Sequence, residues 1–74
     1  MSAQTQANTL KQLNQSILAA KTKAEQLSAK INLIDYYSQV NPRKWRETNL
    51  VLQSERNKYP GKQAQNRLNL IYAE

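Results

Sequence analysis

The sequence predicts an all-α protein: a long amino-terminal amphipathic helix packed antiparallel against two shorter helices, as a helical hairpin or small bundle that forms oligomers. Three observations lead there. Apolar residues recur at spacings of three and four without a miss from Leu10 to Ile34. No glycine or proline interrupts residues 1–41, and the breakers that follow, Asn41-Pro42 and Pro60-Gly61, divide the rest into two helix-length pieces.

The first helix is expected over about 7–38, with residues 1–6 frayed. Its stripe reads as four heptads, with Leu10, Ile17, Ala24 and Ile31 at a and Leu13, Ala20, Leu27 and Ile34 at d. At 1.5 Å per residue such a helix is roughly 48 Å long and cannot bury its stripe against itself. Leu10, Leu13, Ile17, Leu18, Leu27, Ile31 and Ile34 are therefore the candidate partner-binding residues, with packing against the chain's own helices as the plainer use of the same face. Ala20 and Ala24 narrow the seam in its middle. Leu18, Ala19, Leu33 and Tyr36 broaden it, which calls for more than one neighbour. In a parallel dimer Lys30 at g would face Asp35 at e of the other chain, a pair contributing only a few tenths of a kcal/mol if exposed.

The second helix is expected from Pro42 to about 58. Asn41 is a favoured N-cap, because its side-chain oxygen can accept an orphan amide hydrogen, and Pro42 stands at the first helical position, where an N–H is not needed. Val40 and Trp45 have the spacing of a hydrophobic staple. Trp45, Leu52 and Tyr59 recur every seven residues and mark the buried face, while Arg43, Arg46, Glu47 and Leu50 project from the other side. Tyr59-Pro60-Gly61-Lys62 then suits a type II turn, with Gly61 supplying the positive φ. A third helix over about 62–73 places Ala64, Leu68, Ile71 and Tyr72 on one face. Together the last two helices nearly match the length of the first, and could line it.

All 74 residues make one small domain, and a chain this short buries only roughly 60% of the surface that its unfolded form exposes. There is no cysteine for a disulfide and no histidine for an ordinary zinc site, so association is the expected substitute for those staples. The same absences exclude the familiar catalytic triad and the thiol nucleophile, and one glycine cannot build a phosphate-cradling loop. The expectation is a protein that is not an enzyme and takes no cofactor or metal. No apolar run approaches a membrane span and the amino terminus lacks the pattern of a secretory signal, so a cytoplasmic location is expected.

The net charge of +6 is uneven: residues 1–40 carry four lysines against Glu25 and Asp35, and residues 41–74 carry seven cations against Glu47, Glu55 and Glu74. This favours an acidic partner, whether nucleic acid, anionic lipid or an acidic protein surface, without choosing among them. Arg43 and Lys44 oppose the macrodipole at their helix start, at a cost of roughly 0.3–1 kcal/mol each, which Glu47 offsets in part as an i, i+4 pair to Arg43. An alternative function follows, a small basic nucleic-acid-binding protein contacting phosphates through Arg43, Lys44, Arg46, Arg56, Lys58, Lys62 and Arg67. Tyr36, Tyr37 and Trp45 would stack on bases only if exposed, and the helical phase of Trp45 puts it in the core. No helix-turn-helix glycine or RNP motif accompanies the cations.

The segment Asn-Pro-Arg-Lys-Trp-Arg-Glu-Thr-Asn-Leu-Val-Leu-Gln at 41–53, after a long amphipathic helix and before a tail ending Arg-Leu-Asn-Leu-Ile-Tyr, resembles the small helical-hairpin co-chaperones of type III secretion. Asn41, Pro42, Trp45, Leu50, Val51 and Leu52 carry the likeness. The chain differs from that family in its basic charge and in Pro60-Gly61. The resemblance implies a cytoplasmic protein that keeps a secretion subunit soluble. From the residues themselves the expected function is broader: non-catalytic protein binding or assembly, in which the stripe from Leu10 to Ile34 takes up a partner helix or a second copy of the chain.

Overall fold

In the computed structural model, which describes residues 2–73, the chain is all-α: α1 (Ala3–Ala19), α2 (Lys23–Val40), α3 (Pro42–Ser54) and α4 (Lys62–Ala73), with a 3₁₀ turn at Arg56–Lys58. Three of the four helices begin with the same device. Ser2, Thr22 and Asn41 each accept, through a side-chain oxygen, the amide hydrogen three residues on, at 3.1 Å in every case. Each cap satisfies a donor that the helix cannot satisfy for itself. The Ser2 cap extends α1 back to Ala3, so residues 3–6 are helical, and residue 1 of the stretch expected to fray lies outside the described residues.

The single helix expected over 7–38 is two helices. Ala20 has an extended ψ of 128°, Thr22 caps α2, and the Glu25 carboxylate reaches back to accept the Lys21 amide hydrogen at 2.9 Å. This reciprocal arrangement is a capping box of the Thr-x-x-Glu kind, displaced by one residue at its return bond. It lets α1 fold back antiparallel on α2, so that Tyr36 near the end of α2 donates its hydroxyl hydrogen to the carbonyl of Gln6 near the start of α1 at 3.2 Å. The gain is burial. Leu10, Leu13 and Ile17 become half-covered, at roughly 1 kcal/mol each, since complete burial of such a side chain contributes about 1.5–3 kcal/mol.

α2 is consequently the central helix, buried on two opposite sides. Leu27, Ile31 and Ile34 face α3 and α4, while Ala29 and Leu33 lie outside that core cluster and, with Tyr36, line the side toward α1. The two rows are about 200° apart at 100° per residue. Leu33 and Tyr36, which broaden the stripe in the sequence, are thus the mark of a second neighbour. The small all-α bundle is as expected, but within it the long first helix lined by the two later ones is replaced by a row of α1, α2 and α3, with α4 closing the side formed by α2 and α3.

Asn41 makes the joint between α2 and α3 alone, donating its amide hydrogen to Tyr37 O at 2.8 Å and capping α3 with its side chain. The expected buried row of α3 is present, with Leu52 and Tyr59 almost wholly enclosed and Trp45 packed at the edge of the core. The helix itself ends at Ser54, short of 58, and the 3₁₀ turn carries Tyr59 inward. Gly61 has φ +106°, and α4 begins after it, with Gln65 N–H donating to Gly61 O at 3.0 Å. From α4, Leu68 and Ile71 enter the core and Ala64 borders it, whereas Tyr72 points outward, one residue beyond the apolar phase.

A polar seam sets α4 against α3. Asn49, only 5% exposed, donates to the carbonyl of Ile71 at 3.2 Å, and Gln53 donates to that of Leu68 at 2.7 Å. The Ile71 carbonyl lies in the last turn of α4, where helical partners run out. At the other end Gln65 donates to the carbonyls of Arg56 and Tyr59, at 3.1 and 2.9 Å.

Candidate partner-binding surface

The seven stripe residues do not stay together. Leu27 and Ile34 are sealed in the chain's own core and Ile31 packs against it, so these three are corrected from partner contacts to core residues. Their side of α2 is occupied by Leu52, Tyr59, Leu68 and Ile71. Leu10, Leu13 and Ile17 remain on α1, half-buried on α2, and Leu18 is 86% exposed. α1 has no fully buried residue at all. One side of its apolar surface is therefore covered by a single helix, and Leu18 is covered by nothing within the chain.

Three further apolar side chains stand outward beside the expected Leu50: Val51 on α3, Leu70 on α4, and Tyr72 on α4, which the sequence placed on the inward face. Asn49 and Ile71 bring these parts of α3 and α4 to one level. Helical phase relative to the buried Leu52 and Leu68 would have placed Val51 and Leu70 outside.

The cations expected to track phosphates divide between the two ends of the molecule. At the start of α3, Arg43 Nε lies 3.3 Å and Lys44 Nζ 3.7 Å from the Glu47 carboxylate, so two of the three charges there have a local counter-ion. Arg46 is exposed beside them. Lys58 is 2.8 Å from Glu55, and Arg56 donates to Gln53 and Asn69, each at 2.8 Å. Lys62 and Arg67 belong to α4, at the far end of the antiparallel pair formed by α3 and α4. No continuous track joins all seven.

Lys30 has no free charge for a partner's Asp35. Its ammonium donates to Tyr59 Oη at 2.9 Å and to Glu55 at 3.4 Å, and Asp35 is exposed elsewhere on α2. The Tyr59 hydrogen bond, opposed by partial burial, holds the Lys30 ammonium above the usual lysine range, with the charge of Glu55 adding to it. The hydrogen bond from Lys58 holds the Glu55 carboxyl below its usual range, against burial and helped by the charge of Lys30. These interactions fasten α2 to the turn after α3. They are structural.

Where α2 and α4 begin, a groove of about 620 Å³ opens between Lys23 and Ala24 on one side and the segment from Tyr59 to Ala64 on the other, with Arg67 at its edge. Sequence reasoning placed Lys62 and Arg67 among the cations but not Lys23 with them, because residues 23 and 62 meet only through the packing of α2 on α4. Among the described residues no group of His, Cys, Asp and Glu comes together as a metal site, and no helix is long and apolar enough to cross a membrane. Comparison with family models, with curated proteins and with solved structures returns no significant match for this chain.

Proposed function

We propose that this chain is a non-catalytic helical binding or assembly module, which takes up a helix of a partner, or of a second copy of itself, against α1. The observation that carries this reading is the state of α1: of its four large apolar residues, Leu10, Leu13 and Ile17 are only half-buried and Leu18 stands 86% exposed. A second helix laid along α1 would remove that surface from water at roughly 25 cal/mol per Å². The narrower reading, a cytoplasmic co-chaperone for a secretion subunit, rests on the likeness carried by Asn41, Pro42, Trp45 and Leu50–Leu52. Nucleic-acid binding has weaker support, because the seven cations are split between two ends and several are engaged within the chain.

The test is size-exclusion chromatography with light scattering at low and high salt, with and without a duplex oligonucleotide. The expected result is a mass above the monomer that persists at high salt and falls in Leu18→Asp, a surface change, since Leu18 is 86% exposed. A strict monomer that shifts only with the duplex, and loses that shift as salt rises, would sink the proposal in favour of phosphate binding.

A further inference from the structure

The groove at the starts of α2 and α4 has a chemistry of its own. Ala24, Pro60 and Ala64 give it an apolar floor, and Lys23, Lys62 and Arg67 give it a cationic rim. None of its lining residues is a carboxylate, and among the described residues none of these three cations is in an ion pair. Arg67 is fixed in place by donating to Ser28 Oγ at 2.9 Å, a neutral partner that leaves its charge uncompensated. Lys23 and Lys62 are the first residues of α2 and α4. Each stands where a helix already carries positive partial charge, so both are locally unfavourable. A negative group in the groove would reverse the sign of that interaction for both helices together.

We propose that this groove is a docking site for an acidic segment of a partner protein, in which carboxylates meet Lys23, Lys62 and Arg67 while an apolar side chain between them rests on Ala24, Pro60 and Ala64. Charge complementarity selects the occupant's sign, and the floor selects its kind. A nucleic-acid backbone would match the three cations but carries no branched apolar side chain to fill the floor. The groove in turn has no exposed flat aromatic ring on which a base could stack, since Tyr59 is 2% exposed. The inference rests on the reading of the chain as a protein-binding module, but it uses a surface separate from α1 and does not need Leu18.

The test is fluorescence anisotropy at low salt, using a short labelled peptide of alternating Glu and Leu as the probe. The comparison probes are the same peptide with Gln for Glu and a labelled duplex oligonucleotide. The Glu-Leu peptide should bind the wild-type chain, bind the Lys23→Glu/Lys62→Glu double variant about tenfold more weakly or worse, and bind Leu18→Asp as it binds wild type. Glu at either helix start complements the macrodipole, so the double variant should melt no lower than wild type and its loss of binding cannot come from unfolding. The proposal is overturned if the Glu-Leu peptide does not bind, if the Gln peptide binds as well, if the duplex binds more tightly, or if the double variant retains full affinity. Loss of the salt-resistant assembly in Leu18→Asp with peptide binding unchanged would separate the α1 surface from the groove.

Discussion

Thr22 and Glu25 hold the turn that decides the shape of this molecule. Thr22 Oγ1 accepts the Glu25 amide hydrogen at 3.1 Å, and the Glu25 carboxylate accepts the amide hydrogen of Lys21, next to Thr22, at 2.9 Å. With no glycine or proline nearby, these two bonds are what stops one helix and starts another. Thr22→Ala should cost about 1 kcal/mol, as loss of an N-cap does, and should favour helix running on through residues 20–22. An unbroken helix over 7–38 would be about 48 Å long, against a longest Cα extent of 38 Å for the folded chain. Small-angle scattering should therefore give a compact wild-type particle and a more extended variant. A wild-type particle already as long as the unbroken helix would refute the turn.

Asn49 ties α4 to α3, and its two simplest replacements should differ. Asn49→Ala leaves the Ile71 carbonyl without its donor, at about 1–3 kcal/mol. Asn49→Asp should cost more, because it points a buried carboxylate at the carbonyl end of a helix. Urea unfolding at neutral pH should rank wild type above Ala above Asp. Lowering the pH should recover part of the Asp loss as that carboxylate is neutralised.

The cluster of Lys30, Glu55, Lys58 and Tyr59 sets the pH limits of its own contribution. The Glu55 carboxyl titrates below its ordinary 4.5, so the stability it supplies is present above that pH and is lost as pH falls through the lower, folded value. The Lys30 ammonium titrates above its ordinary 10.5, so its contribution is present below that pH and is lost as pH rises through the higher, folded value. Between these limits Glu55→Gln should cost about 0.5–1 kcal/mol, as a partly exposed pair does. Urea midpoints measured across acid pH should converge for the variant and wild type. A constant difference down to low pH would mean that Glu55 acts by packing alone.

Gly61 should resist substitution for a backbone reason only. Its φ is +106°, and a Cβ built there meets nothing within 4 Å. Gly61→Ala should therefore cost about 1–2 kcal/mol through strain rather than collision. Gly61→Asn should cost less, since Asn tolerates positive φ better than Ala. Equal thermal melting of the Ala variant and wild type would show that the turn can relax.

Leu18 and Leu27 measure the division of the apolar stripe. They lie on the same predicted helix, yet Leu18 is 86% exposed and Leu27 is 2% exposed. Leu27→Ala should cost about 2–5 kcal/mol in unfolding free energy, whereas Leu18→Ala should change stability by less than about 0.5 kcal/mol. If Leu18→Ala destabilised the monomer as Leu27→Ala does, α1 would have to be packed on more than α2.

Local chemistry alone determined much of this protein. Asn41-Pro42 starts α3 and Tyr59-Pro60-Gly61 precedes α4, because N-caps, proline at a first turn and positive φ act over only a few residues. The seven-residue spacing of Trp45, Leu52 and Tyr59 likewise fixes which side of α3 is inward. The Thr22-x-x-Glu25 box was also present to be read, but the unbroken apolar periodicity around it spoke for a continuous helix. What outweighed that periodicity is non-local: α1 buries its stripe only by turning back onto Ala29 and Leu33, a contact between residues that share no local pattern. The same is true of the function-bearing surfaces. Tertiary packing decided that Leu27, Ile31 and Ile34 are core while Leu18 is not, and it brought Lys23 to Lys62 and Arg67. Sequence periodicity says which side of a helix is apolar; only the arrangement of the other helices says which part of that side is left uncovered.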